Sequence, residues 1–481
     1  MAGTPIVQTV TANRMADLRA GRDRAGAADM VELRLDGVTD IDVAEALGGR
    51  TKPVIVTCRP TWEGGRFDGS EEERLRILSD AARLGAEFVD IEWSIDRSKW
   101  PRGERTKIVL SSHDFAGIPS DLTDRLQTMQ RSGADVVKVA VTPRRLSDSL
   151  TVRDAVRGIK NVVAIVMGAK GALSRVCPWL FGSRWTYCGQ AAPGQTLLRE
   201  LIETYHVRRT SMASTIYAVT GAPLAHSASP AMHNAALAAA GLDAVYVPLE
   251  TDDPQDLIAV AEGIGVKGVS VTAPLKRGLL SAGAHGDELG QRIGAINTLR
   301  RSAGGWEARN FDVAGFLAPF EHRSVRLAGK RVVVLGAGGA ARAAVFALAA
   351  HGARVEIAAR RFEQGEALAR EFHALAVTWP PEPGWDVLVN TTPVGTWPNV
   401  DASPLDREHV RGGLVYDLVY NPIDTTLLKF AREVRAETIG GLEMLVAQAR
   451  LQFEWWTGVP ASLTAVERGA LEFLNREAVT A

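Results

Sequence analysis

A lysine within an apolar run is the residue of this 481-residue sequence that points most directly to chemistry. Lys138 lies among valines in DVVKVAV, residues 135–141. Because burial disfavours the charged form of an amine, we expect Lys138 to have a lowered pKa and to be partly a free amine. A free amine adds to a ketone and forms an imine, whose protonated form withdraws electrons from the neighbouring carbon. The sequence therefore predicts imine chemistry, although an isolated lysine at a strand end more often extends to water.

Residues that could move a proton or bind an anion lie in other short motifs. His113 in SSHD could transfer a proton near neutral pH, and Glu63 in CRPTWEGG could orient its imidazole. Arg34, Arg59 and Arg175 carry forked cations that match a carboxylate, so we expect an anionic substrate. Surface ion pairing is the alternative for these arginines, and it is strongest for Arg175, which lies in a predicted loop.

A glycine-rich turn predicts a nucleotide site in the second half of the chain. GAGGAA, residues 336–341, follows the apolar run VVVL and precedes a predicted helix. Gly336, Gly338 and Gly339 would let the backbone approach a pyrophosphate at the start of that helix. The next apolar run ends in IAARR, where Arg360 and Arg361 stand in place of the acidic residue that binds the ribose of NAD. The pattern predicts NADP, because these cations match a 2′-phosphate.

A lysine and a carboxylate upstream of the glycine-rich turn could serve hydride transfer. Lys276 follows an apolar run in SVTAPLK, and Asp312 lies in a turn in NFDVAGF. Placed together, they could exchange a proton with a substrate hydroxyl while a hydride leaves or arrives. Each residue alone is more often a surface residue.

Eight short apolar runs before residue 190 are the elements that must position the first group. They are mostly apolar rather than alternating, as in parallel strands covered on both faces. The runs span 6–10, 30–36, 54–59, 88–93, 107–114, 135–141, 162–168 and 184–189. Eight strands with seven helical connections predict a (β/α)8 barrel, whose active site lies at the carboxyl ends of the strands. Those ends carry Glu32, Arg34, Arg59, Glu92 and His113, with Lys138 just inside the sixth run.

The remaining sequence predicts a two-lobed α/β dehydrogenase with a Rossmann-like second lobe. We expect the barrel over residues 1–205 and a linker over 206–215. A catalytic α/β lobe then covers 216–320, and the C-terminal helices of 441–481 pack back on it. The NADP-binding lobe covers 321–440.

The composition excludes several other classes of protein. The sequence has 55 Lys and Arg against 56 Asp and Glu, which argues against a broad nucleic-acid or membrane footprint. Three cysteines without a CxxC pair predict neither a disulfide framework nor a metal site. The first residues lack the apolar core of a signal peptide. We expect a cytoplasmic enzyme, a monomer or homodimer, that binds small molecules.

The first 200 residues resemble type I 3-dehydroquinate dehydratase. The matching strings are ELRLD (32–36), TCRPTWEGG (57–65), SSHDF (111–115), VVKVA (136–140), MGAKGALSR (167–175) and APGQ (192–195). The resemblance implies Lys138 as the Schiff-base former, His113 as the proton shuttle and Glu63 as its partner. It also implies substrate contacts from Glu32, Arg34, Arg59, Arg175 and Gln195. Ala191 stands where the family usually has serine, so one hydroxyl contact to substrate is lost.

From about residue 216 onward the chain resembles shikimate dehydrogenase. The matching strings are GAPLAHSASPAMHN (221–234), VSVTAPLK (269–276), GAINTL (294–299), NFDVAGF (310–316), GAGGAARA (336–343), NTTPVG (390–395), YDLVYNPIDTTLL (416–428) and GLEMLVAQA (441–449). The resemblance implies Lys276 and Asp312 as the catalytic pair. It implies substrate contacts from Ser227, Ser229, Thr272, Asn297, Tyr420 and Gln448. It implies cofactor contacts from Gly336, Gly338, Gly339, Ala340, Arg360, Arg361, Thr391 and Gly441.

Three positions depart from the usual shikimate dehydrogenase pattern. Ser270 replaces an asparagine, Phe311 replaces a threonine, and Ala359 replaces the asparagine of the cofactor motif. The last change keeps the phosphate-binding arginine. The first two lie beside residues implied in substrate binding or catalysis.

Together the two resemblances imply a fusion of consecutive shikimate-pathway steps. The first step dehydrates 3-dehydroquinate to 3-dehydroshikimate, and the second reduces it to shikimate with NADPH. One alternative is a quinate/shikimate dehydrogenase that works oxidatively. Another is a sensor that keeps both folds but only binds the metabolites, which the presence of Lys138, His113, Lys276 and Asp312 disfavours.

Overall fold

Eight parallel strands form the first sheet of this computed structural model, which describes residues 3–191 and 194–480, without the side chains of 477–480. The strands are β1 (Ile6–Thr11), β2 (Met30–Arg34), β3 (Val54–Thr57), β4 (Phe88–Glu92), β5 (Lys107–Asp114), β6 (Val136–Val141), β7 (Val162–Val166) and β8 (Thr186–Cys188). Each strand from β1 to β6 pairs with its successor, and β8 pairs with β1. Arg184, just before β8, donates to the Val162 carbonyl at the start of β7 over 2.8 Å, so the barrel is nearly closed. The predicted (β/α)8 barrel is confirmed.

Amphipathic helices cover most of the barrel's outer face. They are α1 (Met15–Asp23), α2 (Val43–Leu47), α3 (Glu71–Arg83), α4 (Leu122–Arg131), α5 (Asp148–Ala155) and α6 (Leu173–Val176). The predicted helical connection between β4 and β5 is wrong, because its described residues contain only the 3-10 turn Arg97–Lys99. Pro101 and Gly103 interrupt that segment and disfavour a helix.

The chain divides into two compact units, and the barrel lies in the first. A second sheet contains β9 (Thr215–Gly221), β10 (Ala244–Glu250), β11 (Gly268–Val271), β12 (His285–Gly286), β13 (Thr298–Ser302) and β14 (Gly305–Arg309), in the order β10-β9-β11-β13-β14-β12. The helices between or after these strands are α7 (Ser229–Ala239), α8 (Pro254–Ile264), α9 (Gly278–Ser281), α10 (Glu288–Ile293) and α11 (Asp312–His322).

A third sheet has the strand order of a dinucleotide-binding fold. It contains β15 (Arg331–Leu335), β16 (Arg354–Ala358), β17 (Leu375–Val377), β18 (Trp385–Asn390), β19 (Gly412–Asp417) and β20 (Glu437–Gly440). All neighbours are parallel, in the order β17-β16-β15-β18-β19-β20. The order reverses between β15 and β18, where such folds bind their ligands. The predicted Rossmann-like fold is confirmed.

Five further helices complete the second unit. They are α12 (Gly339–Ala350), α13 (Phe362–Phe372), α14 (Thr426–Glu433), α15 (Gly441–Thr457) and α16 (Leu463–Thr480). Helix α16 packs closely on α7, since a Cβ atom on Gly469 would lie 2.5 Å from the Ala231 carbonyl oxygen. Helix α15 packs in the same way on α11. Among the described residues, no helix has both the length and the apolar character that a bilayer crossing requires.

Candidate active sites

Lys138 is the third of the six residues of β6, and its side chain faces two carboxylates. Its Nζ atom is 3.0 Å from Oδ2 of Asp90 on β4 and 3.5 Å from Oε1 of Glu32 on β2. The Tyr187 ring on β8 lies 4.6 Å from the same nitrogen. Burial opposes the charge, but the attraction of Asp90 prevails and the pKa of Lys138 is raised above its usual value. The expectation of a lowered pKa is wrong, because the fold places Asp90 beside an otherwise apolar position.

The structure brings His113 and Glu63 together as the sequence predicts. Nδ1 of His113 on β5 lies 3.2 Å from Oε2 of Glu63, which occupies the 3-10 turn after β3. Burial and the charges of Arg59 and Lys138 hold the pKa of His113 well below its usual value. Burial raises the pKa of Glu63 to about 7, against the opposing effect of Arg59. The imidazole is therefore neutral near pH 7 and can accept a proton.

Arg59 lies fully inside the charged cluster. Its guanidinium contacts Asp90 and Glu92 at 2.7 Å each and Glu63 at 3.1 Å. Glu92 in turn lies 2.6 Å from Arg74 of α3. Positive and negative groups thus alternate from Arg74 through Glu92, Arg59 and Asp90 to Lys138, and we call these five residues the charge ladder. Each buried charge in the ladder has an opposite neighbour, which offsets its desolvation.

The remaining predicted contacts of the barrel have partners outside the charge ladder. Arg34 at the end of β2 donates two hydrogen bonds of 2.8 Å to Asp36. Arg175 is buried, which lowers its pKa to about 10, and it donates to the Val166 carbonyl over 3.1 Å. Oε1 of Gln195 accepts a hydrogen bond from the Ala191 amide over 2.6 Å. The APGQ motif between them includes Ala192 and Pro193, which lie outside the described residues.

The second unit brings the predicted lysine and carboxylate into direct contact. Nζ of Lys276, in the loop after β11, lies 2.5 Å from Oδ2 of Asp312 at the start of α11. Asn297 donates to Oδ1 of Asp312 over 2.8 Å and to Oε1 of Gln448 on α15 over 3.2 Å. A Cβ atom on Gly339 would lie 3.3 Å from the Lys276 side chain, so the lysine also borders the glycine-rich turn. Four distant segments therefore build one site.

Four of the predicted substrate contacts in the second unit carry hydroxyl groups. Ser227 accepts a 3.4 Å hydrogen bond from the amide of Ser229, the first residue of α7. Thr272 packs on Gly221, where a Cβ atom would lie 2.4 Å from its methyl group. Tyr420 is half-buried against the apolar core of the same lobe. Ser227 and Ser229 thus lie at the start of α7 and Thr272 just after β11, while Tyr420 follows β19.

Two of the three departures from the usual dehydrogenase pattern, Ser270 and Phe311, have structural explanations. Tyr246 donates to the Ser270 hydroxyl over 2.6 Å, and Ser270 donates to Gln452 over 2.7 Å, so Ser270 joins two buried side chains. The Phe311 ring packs on Trp455 with centroids 5.7 Å apart, while the Phe311 amide donates to Asn297 over 2.9 Å. The Phe311 backbone therefore supports Asn297 through a bond that a threonine amide could also make.

The glycine-rich turn fits a pyrophosphate. Gly336 follows β15 with a φ of +107°, and a Cβ atom there would lie 2.7 Å from the Thr391 hydroxyl. A Cβ atom on Gly338 would meet no atom within 4 Å, so that face of the turn is open. Ala340 follows Gly339 in the first turn of α12, where backbone amides favour an anion.

Two exposed cations lie at the end of the neighbouring strand. Arg360 and Arg361 follow β16 after Ala359, and both are exposed. Gly441 begins α15, packed so closely that a Cβ atom would lie 2.3 Å from the Leu418 carbonyl oxygen. This combination suits a ligand that has a pyrophosphate for the glycine-rich turn and a second phosphate group for Arg360 and Arg361.

Comparison with known proteins assigns the chain to a family. Residues 6–212 match the family model of Type I 3-dehydroquinase, 219–299 match the shikimate dehydrogenase substrate binding domain, and 441–468 match the Shikimate 5'-dehydrogenase C-terminal domain. The Bifunctional 3-dehydroquinate dehydratase/shikimate dehydrogenase, chloroplastic, of Arabidopsis thaliana is 35% identical over 476 residues, which cover 90% of this chain and 78% of that protein. The chain belongs to this bifunctional family. The comparison confirms both of the resemblances that the sequence showed, and it confirms that the two enzymes are joined in one chain.

Other relatives match only the dehydrogenase half of the chain. The Shikimate dehydrogenase (NADP(+)) of Methanosarcina mazei is 40% identical over 282 residues, 54% of this chain and 99% of that protein. The crystal structure of Shikimate 5-Dehydrogenase from Thermus thermophilus in complex with NADP(H) and shikimate is 36% identical, with a TM-score of 0.51 and coverage of 54% of this chain and 99% of that one. Both are NADP proteins by name, in agreement with the cofactor predicted from Arg360 and Arg361.

Sequence reasoning missed Asp90, which contacts Lys138 in the barrel. Asp90 was not among the predicted site residues, although DIE places acids at alternate positions of an apolar strand. Side chains at alternate positions share one face of a strand, so Asp90 and Glu92 point the same way. That pattern, two acids on one face of a predicted barrel strand, is the signal that could have found it.

Proposed function

We propose that the chain dehydrates 3-dehydroquinate to 3-dehydroshikimate in its barrel and reduces the product to shikimate with NADPH in its second unit. The observation that carries the proposal is the pair of lysine sites: Lys138 near a neutral His113, and Lys276 on Asp312 beside a nucleotide turn. We assign the dehydratase to 1–205, a linker to 206–215, the shikimate-binding lobe to 216–320 with 441–481, and the NADP lobe to 321–440.

In the barrel, Lys138 forms the covalent intermediate and His113 moves the proton. Lys138 releases a proton, its nitrogen attacks the ketone carbon, and water leaves as the iminium forms. The iminium acidifies the adjacent carbon, from which the neutral His113 removes a proton. The hydroxyl on the following carbon then leaves as water with a proton from His113, and hydrolysis frees the product. Glu63 orients the imidazole through the 3.2 Å contact.

In the second unit, Lys276 and Asp312 hold and move the proton that the carbonyl oxygen needs. Bound NADPH would supply the hydride to the carbonyl carbon. Lys276 donates a proton to the developing alkoxide, and Asp312 keeps the ammonium aimed at that atom. Asn297 fixes the carboxylate of Asp312 from the other side.

Further residues of both sites bind rather than react. In the barrel we assign substrate binding to Glu32, Arg34, Arg59, Arg175 and Gln195. In the second unit we assign it to Ser227, Ser229, Thr272, Asn297, Tyr420 and Gln448. NADP would be held by Gly336, Gly338, Gly339, Ala340, Arg360, Arg361, Thr391 and Gly441.

A two-stage assay tests the proposal. 3-Dehydroquinate alone should give the absorbance of a conjugated enone, and subsequent NADPH should be consumed with formation of shikimate. Lys276→Ala should stop at the enone, whereas Lys138→Ala should still oxidise shikimate with NADP. Absence of the enone refutes the dehydratase assignment. Faster turnover of quinate than of shikimate would favour the oxidative alternative, and binding without turnover would favour the sensor.

We propose a cytoplasmic enzyme whose partners are its small-molecule substrates. All three cysteines are buried free thiols, which suits a reducing compartment. The assembly is a monomer or a homodimer, and light scattering of the purified chain distinguishes the two.

A further inference from the structure

Both oxygens of the Asp90 carboxylate have side-chain partners in the barrel site. It is fully buried on β4, and its Oδ1 atom accepts hydrogen bonds from Arg59 over 2.7 Å and from the Ser111 hydroxyl over 2.5 Å. These two donors fix the plane of the carboxylate. Oδ2 is left to face Nζ of Lys138 at 3.0 Å.

We propose that Asp90 is a positioning residue of the dehydratase, which holds the Lys138 nitrogen and keeps a negative charge beside it from the free ammonium to the bound iminium. The inference rests on the proposed imine chemistry of Lys138. It assigns no proton transfer to Asp90, because nearby cations hold the pKa of that carboxyl far below its usual value.

The stoichiometry of imine formation explains why a constant charge is suited to this position. The ammonium carries three hydrogens; one stays on the iminium nitrogen and two leave with the carbonyl oxygen as water. The C–O bond breaks, the C–N double bond forms, and one positive charge lies on nitrogen before and after. A fixed carboxylate therefore pairs with both states, and the buried site never holds an uncompensated charge.

The groups around the nitrogen identify Asp90 as the principal partner. The other charged or titratable neighbours of Lys138 are Glu32 on β2, Arg59 after β3, His113 on β5 and Tyr187 on β8. Glu32 lies farther away, at 3.5 Å, and also accepts hydrogen bonds from the hydroxyls of Thr9 and Thr57. Asp90, at 3.0 Å, is therefore the nearer of the two carboxylates to the nitrogen.

Asp90→Asn tests the proposal with little change of volume. The amide oxygen can replace Oδ1 toward Arg59 and Ser111, which turns the NH2 group toward Lys138 and puts a donor where an acceptor stood. The measurement is competitive acetylation of Lys138 across pH, read by peptide mass spectrometry. We expect the labelling midpoint to fall by about 1–3 pH units, as loss of an adjacent opposite charge predicts. We also expect kcat of the dehydratase to fall at least about tenfold with a smaller change in KM.

Asp135→Asn is the matched control. Asp135 lies just before β6, where its carboxylate accepts a hydrogen bond from the Ile108 amide over 2.8 Å. This substitution should leave the midpoint of Lys138 unchanged. An unchanged midpoint in folded Asp90→Asn, or an equal shift in the control, overturns the proposal.

The wild-type chain provides a test that needs no variant. Its Lys138 must be labelled with a midpoint above the ordinary lysine value of about 10.4, and a lower midpoint overturns the proposal even if Asp90→Asn does not fold. Borohydride with 3-dehydroquinate distinguishes a failure of the proposed dehydratase function from a failure of the Asp90 proposal. A wild-type chain that gives no adduct on Lys138 refutes the dehydratase function, whereas the labelling midpoint of Lys138 still reports the effect of Asp90.

Discussion

Two glycines of the nucleotide turn should respond in opposite ways to the same substitution. In Gly336→Ala the new Cβ would lie 2.7 Å from the Thr391 hydroxyl, which is itself held by a 2.6 Å bond to the Leu335 carbonyl. The residue also has a φ of +107°. A non-glycine residue in such a conformation costs about 1–3 kcal/mol, so we expect the free energy of unfolding of the second unit to fall by about 2 kcal/mol or more.

Gly338→Ala is the matched variant. Gly338 has φ −84° and ψ −168°, which alanine adopts without strain, and its Cβ would meet no protein atom within 4 Å. The free energy of unfolding should therefore stay the same or rise by about 0.4–1 kcal/mol, because alanine restricts the unfolded chain. The same Cβ would occupy the space assigned to the pyrophosphate. We expect the Kd for NADPH to rise at least about tenfold, which needs only ~1.4 kcal/mol.

Calorimetry and NADPH titration of the full chain measure the two effects, and dehydratase turnover is the internal reference for a folded barrel. Tight NADPH binding by Gly338→Ala would refute the placement of the pyrophosphate on this turn. Wild-type stability in Gly336→Ala would refute the argument from the Thr391 contact.

Three further outcomes are expected. His113→Ala should lower dehydratase kcat by about 10²–10⁴-fold while borohydride still traps substrate on Lys138, and loss of trapping would contradict its role as a proton shuttle alone. Folding raises the pKa of Glu63 from its usual 4.5 to about 7. Its contribution to the free energy of unfolding is therefore complete below pH 4.5, and about 3 kcal/mol is lost as the pH rises through 7. In denaturation series at several pH values, Glu63→Gln should show a flatter pH dependence than the wild type, and parallel curves would contradict this prediction. Replacing Arg360 and Arg361 with alanine should reduce the preference for NADP over NAD in kcat/KM at least about tenfold, and an unchanged ratio would show that these cations do not contact the 2′-phosphate.

Much of the fold can be predicted because its strands are local patterns. The run at 107–114 coincides with β5, six of the other barrel runs contain their strand, and β1 extends one residue beyond the run at 6–10. The connection between β4 and β5 was mispredicted because the chain joins these strands through a 3-10 turn, in a segment interrupted by proline and glycine. Strand periodicity does not determine how a connection crosses the surface.

The residues of the candidate sites could be predicted where they lie in short sequence motifs. Lys138, His113 and Glu63 come from strings that resemble a known family, and the structure brings the last two into contact. The direction in which the pKa of Lys138 shifts could not be predicted from a local motif. It depends on Asp90, which lies 48 residues away in the sequence and approaches Lys138 only in the folded barrel. The pairing of Ser270 with Tyr246 and Gln452 likewise joins segments far apart in the sequence.

The charge ladder also constrains how this barrel can evolve. Each of its members has an oppositely charged neighbour in the interior. Loss of one partner of a buried pair typically costs about 3–5 kcal/mol, a large part of the stability of a whole domain. Single substitutions that change the charge of one member therefore destabilise the barrel. Substitutions in the ladder are tolerated when they change two members together or introduce a neutral isostere. A compound that binds by contacting the ladder would accordingly leave few single-step paths to resistance.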